Sequence, residues 1–502
     1  MGLLSVGAAL AAGHLVAGIV SPPSSPFLAV GDAVVRLSPQ WLTEFAKSAF
    51  GTADKTVLVA GMAVVIAAVA AGAGLASRRN STPGAVVVAV LGVLGFAAVA
   101  TMPAFAPLDL LAPAAALAAG LTVMRRLHAL ALRRAADEAR AGDGGVSRRT
   151  VLLGASAVGA ASLLAGGAGA LLGRGAGDSR QMVTARLAAA EFARPAPAIP
   201  PGAAFPEVGT PTFLTPAADF YRIDVALRIP RLSAEDWRLR IHGMVDREVN
   251  LTFDDLMARG LVARPITMTC VSNPVGGDLI STAEFVGVDL RALLLEAGVR
   301  PGADQAFAAS VDGWYTGTPV DVLMEPGRGA LLAVGMNGEA LLPEHGFPVR
   351  MVVPGLYGYV SATKWITDLE LTTFAARSGY WLERGWAERG PIKTGSRIDA
   401  PRTSARVRAG RVTVAGIAWS QPDGISRVEV RVDGGPWRAA ELATDVGGDT
   451  WRMWRADLDL GAGSHTVQCR ATTGTGVTQT EAYADTVPDG ATGWHAVVFT
   501  AE

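Results

Sequence analysis

The uneven distribution of apolar and aromatic residues divides this chain into a membrane-like part and a water-soluble part. Half of the 502 residues are hydrophobic, but ten of the eleven tryptophans lie beyond residue 230. The preceding part is rich in alanine, glycine, valine and leucine, which is typical of membrane-spanning segments. The length allows about two to four domains. The net charge of −1 gives no electrostatic indication of a nucleic-acid partner.

Four apolar runs near the N-terminus each approach the roughly 20 residues needed to cross a bilayer. They cover residues 3–20, 56–76, 84–100 and 110–124, the last of which is interrupted by Pro113. A fifth apolar run covers residues 150–173. The sequence therefore predicts a four-helix transmembrane region over residues 1–146 and a fifth transmembrane helix within residues 147–175.

The positions of the arginines orient these predicted helices. Arg78 and Arg79 lie between the second and third runs. The arginines between the fourth and fifth runs are Arg125, Arg126, Arg133, Arg134, Arg140, Arg148 and Arg149. Because positively charged loops stay in the cytoplasm, both loops are predicted to be cytoplasmic. The N-terminus is then cytoplasmic as well, and everything after residue 173 lies outside.

A pair of arginines stands directly before the fifth run, in the stretch Ser147-Arg148-Arg149-Thr150-Val151-Leu152-Leu153. This stretch is similar to a twin-arginine export signal, although two ordinary cytoplasmic arginines would give the same pattern. Both interpretations stay open, and we expect the fifth helix to be retained as an anchor. Residues 176–211 are proline-rich and are predicted to be an extended linker.

The histidines give no indication of a haem in the membrane part. A membrane b-type haem needs facing imidazoles, and only His14 of the six histidines falls inside an apolar run. No Cys-x-x-Cys-His motif occurs in the sequence. The apolar helices are therefore interpreted as an anchor or as a docking surface for a redox partner.

The water-soluble part contains two patterns of secondary structure. Residues 212–400 mix strands and helices without a βαβ repeat, which indicates an α+β domain. Residues 401–502 show short alternating strands, such as the run around Val430 that ends in Asp433-Gly434, which indicates a β-sandwich. Cys469 falls on the apolar face of one such strand and is predicted to be a buried structural thiol.

The other cysteine, Cys270, lies in the stretch Thr267-Met268-Thr269-Cys270-Val271-Ser272-Asn273-Pro274-Val275-Gly276-Gly277. Two cysteines in the whole chain exclude a disulfide framework and a multi-cysteine metal cluster. A thiol between a strand and a glycine-rich turn can act as a nucleophile or as a ligand for a soft metal. A buried inert thiol is the alternative.

The order of motifs after Cys270 resembles the sulfite oxidase family of molybdenum-cofactor enzymes. The motifs are Met336-Asn337-Gly338, His345-Gly346-Phe347-Pro348-Val349-Arg350, Val353-Pro354-Gly355 and Lys364-Trp365. The resemblance spans roughly residues 212–500, and it implies an immunoglobulin-like fold for the β-sandwich. It also implies an oxidoreductase in which molybdenum–molybdopterin transfers an oxygen atom in a two-electron step. Together with the predicted helices and their orientation, this gives a membrane-anchored extracytoplasmic enzyme as the expectation. Because this cofactor is inserted during cytoplasmic folding, the resemblance favours twin-arginine export.

The resemblance implies roles for individual residues. Cys270 is implied to be the molybdenum ligand and a catalytic residue. The other implied cofactor-binding residues are Asp312, His345, Arg350, Ala362, Thr363 and Lys364. Arg222, Asp224 and Arg452 are implied to line the catalytic pocket, with Asp224 standing where the family has histidine. Singly, each of these could be a surface charge or a turn residue, but their order in the chain favours the shared site.

Two departures from the sulfite-oxidising pattern concern the substrate. Val275 and Val320 stand where sulfite oxidases carry arginine and tyrosine. The loss of one charge-assisted hydrogen bond weakens dianion binding by roughly 1.5–3 kcal/mol. The implied small-molecule substrate is therefore not sulfite, and a sulfoxide or related oxide is a candidate.

The resemblance also bears on partners. Electrons must pass to or from a separate quinone, cytochrome or other carrier, and the family's dimerisation domain makes a homodimer an option. The alternative interpretation is a non-catalytic membrane receptor or scaffold with the same fold, which predicts no metal.

Overall fold

The computed structural model describes residues 1–39, 53–102, 105–139 and 176–502, together with a few isolated residues between 42 and 50 and between 156 and 167. The chain forms two compact units. The first is Met1–Gly177 with Val225–Arg231, and the second is Asp178–Asp224 with Leu232–Glu502. The twin-arginine-like stretch and most of the fifth apolar run lie outside the described residues.

The first unit is helical. Its helices are α1 (Gly2–Val20), α2 (Pro26–Leu37), α3 (Asp54–Ala76), α4 (Thr82–Ala100) and α5 (Leu111–Ala139). Four segments are long and apolar enough to cross a membrane: Gly2–Val20, Asp54–Ala76, Thr82–Ala100 and Pro107–Arg133. The four apolar helices predicted from the sequence are thus confirmed. The short helix α2 was not predicted, because its run interrupted by Asp32 and Arg36 is too short and polar for a span.

Small residues allow α1 and α5 to approach closely. A Cβ atom on Gly13 of α1 would lie 3.0 Å from the Cβ atom of Ala116 in α5. A Cβ atom on Gly120 of α5 would lie 3.0 Å from the Cβ atom of Ala9 in α1. Small residues at helix contacts let two backbones pack against each other inside a bilayer, where no hydrophobic effect drives the association.

The second unit begins with an α+β domain built on two sheets. The first sheet has the order β1-β4-β5-β8-β10, with β9 paired to β8. Its strands are β1 (Phe192–Arg194), β4 (Leu261–Thr269), β5 (Ile280–Asp289), β8 (Leu331–Met336), β9 (Glu339–Ala340) and β10 (Arg350–Val352). The second sheet has the order β3-β2-β11-β6-β7. Its strands are β2 (Arg238–Gly243), β3 (Val249–Thr252), β6 (Gln305–Ser310), β7 (Tyr315–Pro319) and β11 (Ile366–Thr372).

The helices of this domain are α6 (Ala176–Ala188), α7 (Phe253–Met257), α8 (Leu290–Ala297), α9 (Val320–Met324) and α10 (Gly358–Ser361). Capping residues stand at the ends of two of them, α7 and α8. Thr252 and Asp255 form a capping box at the start of α7. Gly298 ends α8 in the left-handed conformation, with φ of 70°. The mixed architecture confirms the predicted α+β class.

The C-terminal domain is a β-sandwich, as the sequence predicted. One sheet has the order β12-β14-β18-β17 and the other β13-β20-β19-β15-β16. The strands are β12 (Gly395–Ala400), β13 (Arg406–Val407), β14 (Gly410–Trp419), β15 (Ile425–Val432), β16 (Arg438–Ala439), β17 (Glu441–Leu442), β18 (Arg452–Leu460), β19 (Gly463–Thr473) and β20 (His495–Ala501). The sandwich begins with β12, so it starts before the predicted boundary at residue 401.

The prediction of a linker over residues 176–211 is wrong. Helix α6 buries Val183 and Leu187 in the core of the α+β domain, and Phe205 is buried there too. Strand β1 pairs in parallel with β4. The prolines begin at residue 195 and so gave no reason to exclude α6, whereas Phe205 lies among them, because proline excludes regular helix and sheet more strongly than it excludes packing.

Candidate active site

Cys270 lies at the point where strand β4 ends. Its backbone N–H donates to the carbonyl of Leu279 at 3.0 Å, so residues 270–279 form a closed loop between β4 and β5. We call these residues the Cys270 loop. The N–H of Ser272 lies 3.4 Å from the thiol sulfur, which is the length of a weak hydrogen bond to a sulfur acceptor. Cys270 is 8% exposed, and the buried hydroxyl of neighbouring Thr269 has no hydrogen-bond partner.

Arg350, the first residue of β10, places a cation in the interior. The residue is 4% exposed, and its guanidinium donates to the carbonyl of His345 at 3.2 Å. Its buried Nε atom has no partner, and no carboxylate in the described part of the chain forms an ion pair with it. Burial lowers the pKa of Arg350 to about 10. A buried cation without a counter-ion is unfavourable by several kcal/mol, so this position favours a negatively charged ligand.

Lys364 places a second cation beside the first, because the backbones of Arg350 and Lys364 form an antiparallel bridge. The Nζ atom of Lys364 is 3.2 Å from a carboxylate oxygen of Asp224 and donates to the carbonyl of Glu344 at 3.0 Å. Burial lowers the pKa of Lys364 to about 8, although Asp224 opposes that shift. The buried hydroxyl of the preceding Thr363 has no partner.

His345 and Gly346 form the turn that lets these two cations meet. The Nε2 atom of His345 is 2.9 Å from the carbonyl of Ala217. Burial lowers the pKa of His345 to about 4, so the ring is neutral at physiological pH and Nε2–H donates to that carbonyl. Gly346 has φ of 105°, and a Cβ atom there would lie 3.0 Å from the Cβ of Arg350 and 3.1 Å from the Cβ of Lys364. Glycine is therefore needed for this close approach.

The remaining predicted cofactor and pocket residues surround Lys364. Asp312 accepts a hydrogen bond from Ser310, and burial raises the pKa of Asp312 while Lys364 opposes the rise. The Nε atom of Arg222 is 3.5 Å from the Asp224 carboxylate, with half of the arginine side chain exposed. Ala362 follows α10 and donates its N–H to the carbonyl of Gly358 at 3.0 Å.

The structure does not bring Arg452 to this group. Its guanidinium donates to the carbonyls of Ala443 at 3.0 Å and Ile425 at 2.7 Å, both in the C-terminal domain. These two bonds hold the side chain on its own sandwich. The assignment of Arg452 to the substrate pocket stays a prediction.

Three residues at the site were missed in the sequence. Burial raises the pKa of the Tyr221 phenol, and the Cys270 thiol adds to that rise while Arg350 opposes it, so the phenol lies within the influence of both groups. Arg397 of β12 donates to the carbonyl of Gly277 at 2.7 Å. The ring of His495 packs so closely on Gly276 that a Cβ atom there would lie 2.2 Å from it. Neither Arg397 nor His495 stands in a motif, although the glycines of the Cys270 loop signalled that some backbone or ring approaches it.

The donor set fits the molybdopterin cofactor that the sequence implies. A thiol can bind a soft metal, and the buried Arg350 Nε and Thr363 hydroxyl, both without partners, can donate to phosphate or pterin oxygens. Lys364 adds a second positive charge, and neutral His345 leaves the excess of positive charge on Arg350 and Lys364 intact. Arg350, Thr363 and Lys364 therefore offer the donors that a phosphate-bearing pterin needs, beside a thiol.

Comparison with known proteins agrees with this geometry. Residues 226–381 match the family described as oxidoreductase molybdopterin binding domain, and residues 396–469 match the bacterial Ig domain family. Mitochondrial sulfite oxidase of Macaca fascicularis is 30% identical over 326 residues, which cover 55% of this chain and 58% of that protein. The human enzyme is 29% identical over the same length and with the same coverage. The chain thus spans a little over half the length of these relatives.

A solved structure supports the fold. The sulfane dehydrogenase SoxCD from Paracoccus pantotrophus aligns with a TM-score of 0.51 at 24% identity, over 61% of this chain and 88% of that chain. The likeness covers the architecture of the second unit rather than its chemistry. The family match shows that residues 226–381 are a molybdopterin-binding oxidoreductase domain, and the sequence around it is similar to that of sulfite oxidases.

Proposed function

We propose that this chain is a membrane-anchored, extracytoplasmic molybdenum oxidoreductase that transfers an oxygen atom to or from a small substrate in a two-electron step. The observation that carries the proposal is the buried Arg350 guanidinium, which has an unpartnered Nε atom and no ion pair with any described carboxylate. It is paired through the backbone with Lys364 and lies within the electrostatic influence of Tyr221, as Cys270 does. A scaffold protein would gain nothing from this arrangement, because a buried lone cation destabilises the fold.

Different residues of the candidate site bind different parts of the cofactor in this proposal. Cys270 is the metal ligand, since its thiol is the soft donor in the group. Arg350 and Lys364 neutralise the phosphate, and the Thr363 hydroxyl donates to it. Bound there, the cofactor supplies the two-electron oxygen-atom exchange. The protein supplies position, charge and protection from water.

Two titratable groups of the candidate site, Tyr221 and His345, stay neutral near pH 7. The raised pKa of Tyr221 keeps the phenol protonated at all physiological pH values, so it can serve as a donor beside Cys270. The lowered pKa of His345 keeps its ring neutral, and its Nε2–H is held by the carbonyl of Ala217. Neither group changes its charge near neutral pH.

The substrate is proposed to be less charged than sulfite. Val275 in the Cys270 loop and Val320 at the start of α9 carry no hydrogen-bonding group, where sulfite-oxidising members of the family carry arginine and tyrosine. The missing charge-assisted bond weakens the binding of a dianion by roughly 1.5–3 kcal/mol, which is about tenfold to a hundredfold in affinity. A neutral sulfoxide or a related oxide does not need that bond.

Extracytoplasmic placement of the catalytic part is supported by the arginine pattern and by contacts within the helical unit. The arginines predict that α1 ends, and α3 begins, on the outer side. Lys55 at the start of α3 donates from Nζ to the carbonyl of Ala226 at 2.5 Å. Asp32 of α2 accepts from the N–H of Leu227 at 3.3 Å. The segment Val225–Arg231 therefore meets helix ends that the arginines assign to the outside.

Metal and pterin analysis of the purified full-length protein tests the proposal. We expect about one molybdenum and one pterin per chain, and turnover of at least one sulfoxide, N-oxide or related oxide with a dye as electron donor or acceptor. Sulfite belongs in the same screen as the comparison substrate. A protein that is folded after expression in a molybdenum-replete host but contains no molybdenum would overturn the proposal in favour of the receptor interpretation. Efficient sulfite oxidation would overturn the substrate assignment alone.

A further inference from the structure

The helical unit contains a cavity of about 450 Å³ that the catalytic proposal leaves unused. Its walls come from α1, α2 and α3, and they include Leu10, Phe27 and Ile66. A volume of this size lies in the range of small-ligand sites, roughly 300–1,000 Å³. Because its lining is mainly apolar, the cavity suits a ligand that partitions into a membrane.

Three polar side chains interrupt this apolar lining: His14, Ser25 and Arg228. The Nδ1 atom of His14 is 3.3 Å from the hydroxyl of Ser25, so the two residues form one hydrogen-bonding pair. Arg228 belongs to the segment Val225–Arg231, and within the described residues its guanidinium has no hydrogen bond or ion pair. The cavity thus joins an apolar chamber to a small set of hydrogen-bonding groups.

Arg228 is placed there by the contacts of its neighbours. The carbonyl of Ala226 binds Lys55, and the N–H of Leu227 binds Asp32, so the chain on the N-terminal side of Arg228 is fixed to the helical unit. Leu227 also packs on Gly31 of α2, where a Cβ atom would lie 2.6 Å from its side chain. The positively charged Arg228 guanidinium is therefore held at the wall of an apolar cavity and forms no ion pair with the described residues.

We propose that this cavity binds a membrane quinone and its quinol form, with the ring carbonyl or hydroxyl oxygens near His14, Ser25 and Arg228 and the isoprenoid tail along the apolar helices. A quinone ring presents oxygen acceptors on opposite edges, and the histidine–serine pair and the guanidinium supply donors. A lipid acyl chain would use the apolar walls but would give the Arg228 guanidinium no hydrogen-bond acceptor. The proposal rests on the proposed function and names the class of its redox partner.

The electrons and protons exchanged by a quinone and its quinol match those of the proposed oxygen-atom transfer. Oxidation of a quinol to the quinone releases two electrons and two protons. Reduction of an oxide XO by two electrons and two protons gives X and one water, so quinol plus XO yields quinone, X and water. In the opposite direction water supplies the oxygen atom, X becomes XO, and the quinone takes up the electrons and protons. Either direction balances with no further reactant.

Direct binding is the first test, with the full-length holoprotein in lipid nanodiscs. A fluorescent hydroxyquinoline N-oxide, used as a quinone analogue, should be quenched saturably at one site per chain and displaced by decylubiquinone. His14→Leu and Arg228→Gln should each weaken probe binding by about tenfold, the loss expected for one hydrogen bond. Arg79→Gln changes an exposed arginine outside the cavity and serves as the matched control, with unchanged binding expected.

His14→Gln separates hydrogen bonding from packing, since it keeps a polar side chain where leucine does not, and it should recover part of the lost affinity. Probe binding that is unsaturable in the wild-type protein, or equal in wild type, His14→Leu and Arg228→Gln, would overturn the proposal. Quenching that a phospholipid reverses and decylubiquinone does not would overturn it in favour of a lipid site.

A turnover comparison separates failure of this inference from failure of the catalytic proposal. The ratio of decylubiquinol-dependent to dye-dependent turnover should fall by about tenfold in His14→Leu and Arg228→Gln relative to wild type. Dye-dependent turnover without any quinol- or quinone-dependent turnover would overturn the quinone site and leave the molybdenum function standing. The absence of both activities together with the absence of molybdenum would overturn the catalytic proposal, while the nanodisc titration would still decide the binding site.

Discussion

The two cysteines show how differently one chain can use a buried thiol. Cys270 is 8% exposed and Cys469 is fully buried, so burial does not distinguish them. Cys469 points into the sandwich core from strand β19, where burial raises its pKa to about 12 and the Ser396 hydroxyl lies 3.4 Å from the sulfur. Cys270 ends a strand instead, next to the unpartnered hydroxyl of Thr269.

The difference lies in the polar groups around each sulfur. Unpartnered buried polar atoms of Thr269, Arg350 and Thr363 belong to the elements that form the candidate site. Such groups destabilise a fold unless a ligand satisfies them. Cys469 lies in an aliphatic and aromatic core cluster, which also contains the unpartnered Nε1 of Trp454. What distinguishes the surroundings of Cys270 is a buried arginine, Arg350, that forms no ion pair with any described carboxylate.

Substitution of each cysteine should separate catalysis from stability. Cys270→Ser should lower molybdenum-dependent turnover by at least about a thousandfold, which corresponds to roughly 4 kcal/mol, because serine is a poor ligand for a soft metal. The fold should survive, since the residue ends a strand. Cys469→Ser should keep turnover per folded molecule but lower the free energy of unfolding by about 2 kcal/mol, because it buries a hydroxyl among apolar groups. Activity assays, metal analysis and chemical denaturation check both variants.

Two other results would contradict this distinction between a catalytic Cys270 and a structural Cys469. Full turnover in Cys270→Ser would place that thiol in the same structural class as Cys469. A loss of turnover in Cys469→Ser that exceeds its loss of folded protein would give the sandwich thiol a catalytic role.

Removal of the buried cation should move stability and cofactor content in opposite directions. Arg350→Met keeps the length of the side chain and removes the charge, so the cofactor-free protein should gain about 1–3 kcal/mol in unfolding free energy while pterin content falls. Arg264→Met is the control, because Arg264 pairs with Asp449 at 3.0 Å and its loss leaves a buried carboxylate. That variant should be destabilised. Denaturation of cofactor-free protein and a pterin assay measure both effects.

A destabilised, cofactor-free Arg350→Met would count against a ligand role for this arginine, because it would show that the charge is already satisfied within the fold. Equal losses of unfolding free energy in Arg350→Met and Arg264→Met would also count against a ligand role for Arg350.

The C-terminal domain should influence Cys270 through the Cys270 loop. Arg397 donates to Asp399 and to Gly277, both at 2.7 Å, and so connects the sandwich with that loop. Arg397→Gln should lower turnover by about tenfold with molybdenum retained, as expected for the loss of one bond that positions a ligand. The electron paramagnetic resonance spectrum of the one-electron-reduced enzyme should shift as well. A merely structural role would lower the yield of folded enzyme and leave the spectrum unchanged.

Sequence alone predicted those groups of the candidate site that stand in local motifs. Cys270, His345, Arg350 and Lys364 stand in short motifs, and the structure places the last three on adjoining turns and strands. The contact of Arg397 with Gly277 joins residues 120 positions apart. Hairpin and helix signals depend on spacing within a few residues, so no such pattern records a contact of this range.

The same limit explains the error over residues 176–211. Val183 and Leu187 stand four residues apart, as on one face of a helix, but the prolines that begin at residue 195 favoured an extended interpretation of the whole stretch. Their burial depends on the grooves that the α+β domain offers. Those grooves exist only after the sheets have formed, and composition cannot describe them.

The smallest expected effect is a loss of stability at acidic pH, which arises from His495. Burial lowers the pKa of His495 to about 4, below its usual 6.5, and its Nδ1 accepts from the N–H of Ile398 at 3.0 Å. The state in which the His495 ring is buried therefore binds fewer protons between pH 6.5 and 4 than a state in which the ring is exposed. The stability of the buried state falls as the pH drops through this window. Between pH 7 and 5.5 the loss is about 1 kcal/mol. His345 has the same direction of shift and adds to the total.

Because His495 packs on Gly276, acid should loosen the Cys270 loop while the core around Cys469 stays closed. In cofactor-free protein, labelling of Cys270 relative to Cys469 by a pyridyl disulfide, which reacts in acid, should rise by roughly tenfold from pH 7 to 5.5. His495→Gln cannot take up the proton and should show a much smaller rise. If both thiols became reactive together, acid would be opening the whole unit, and the sandwich would not control the Cys270 loop separately from its own core.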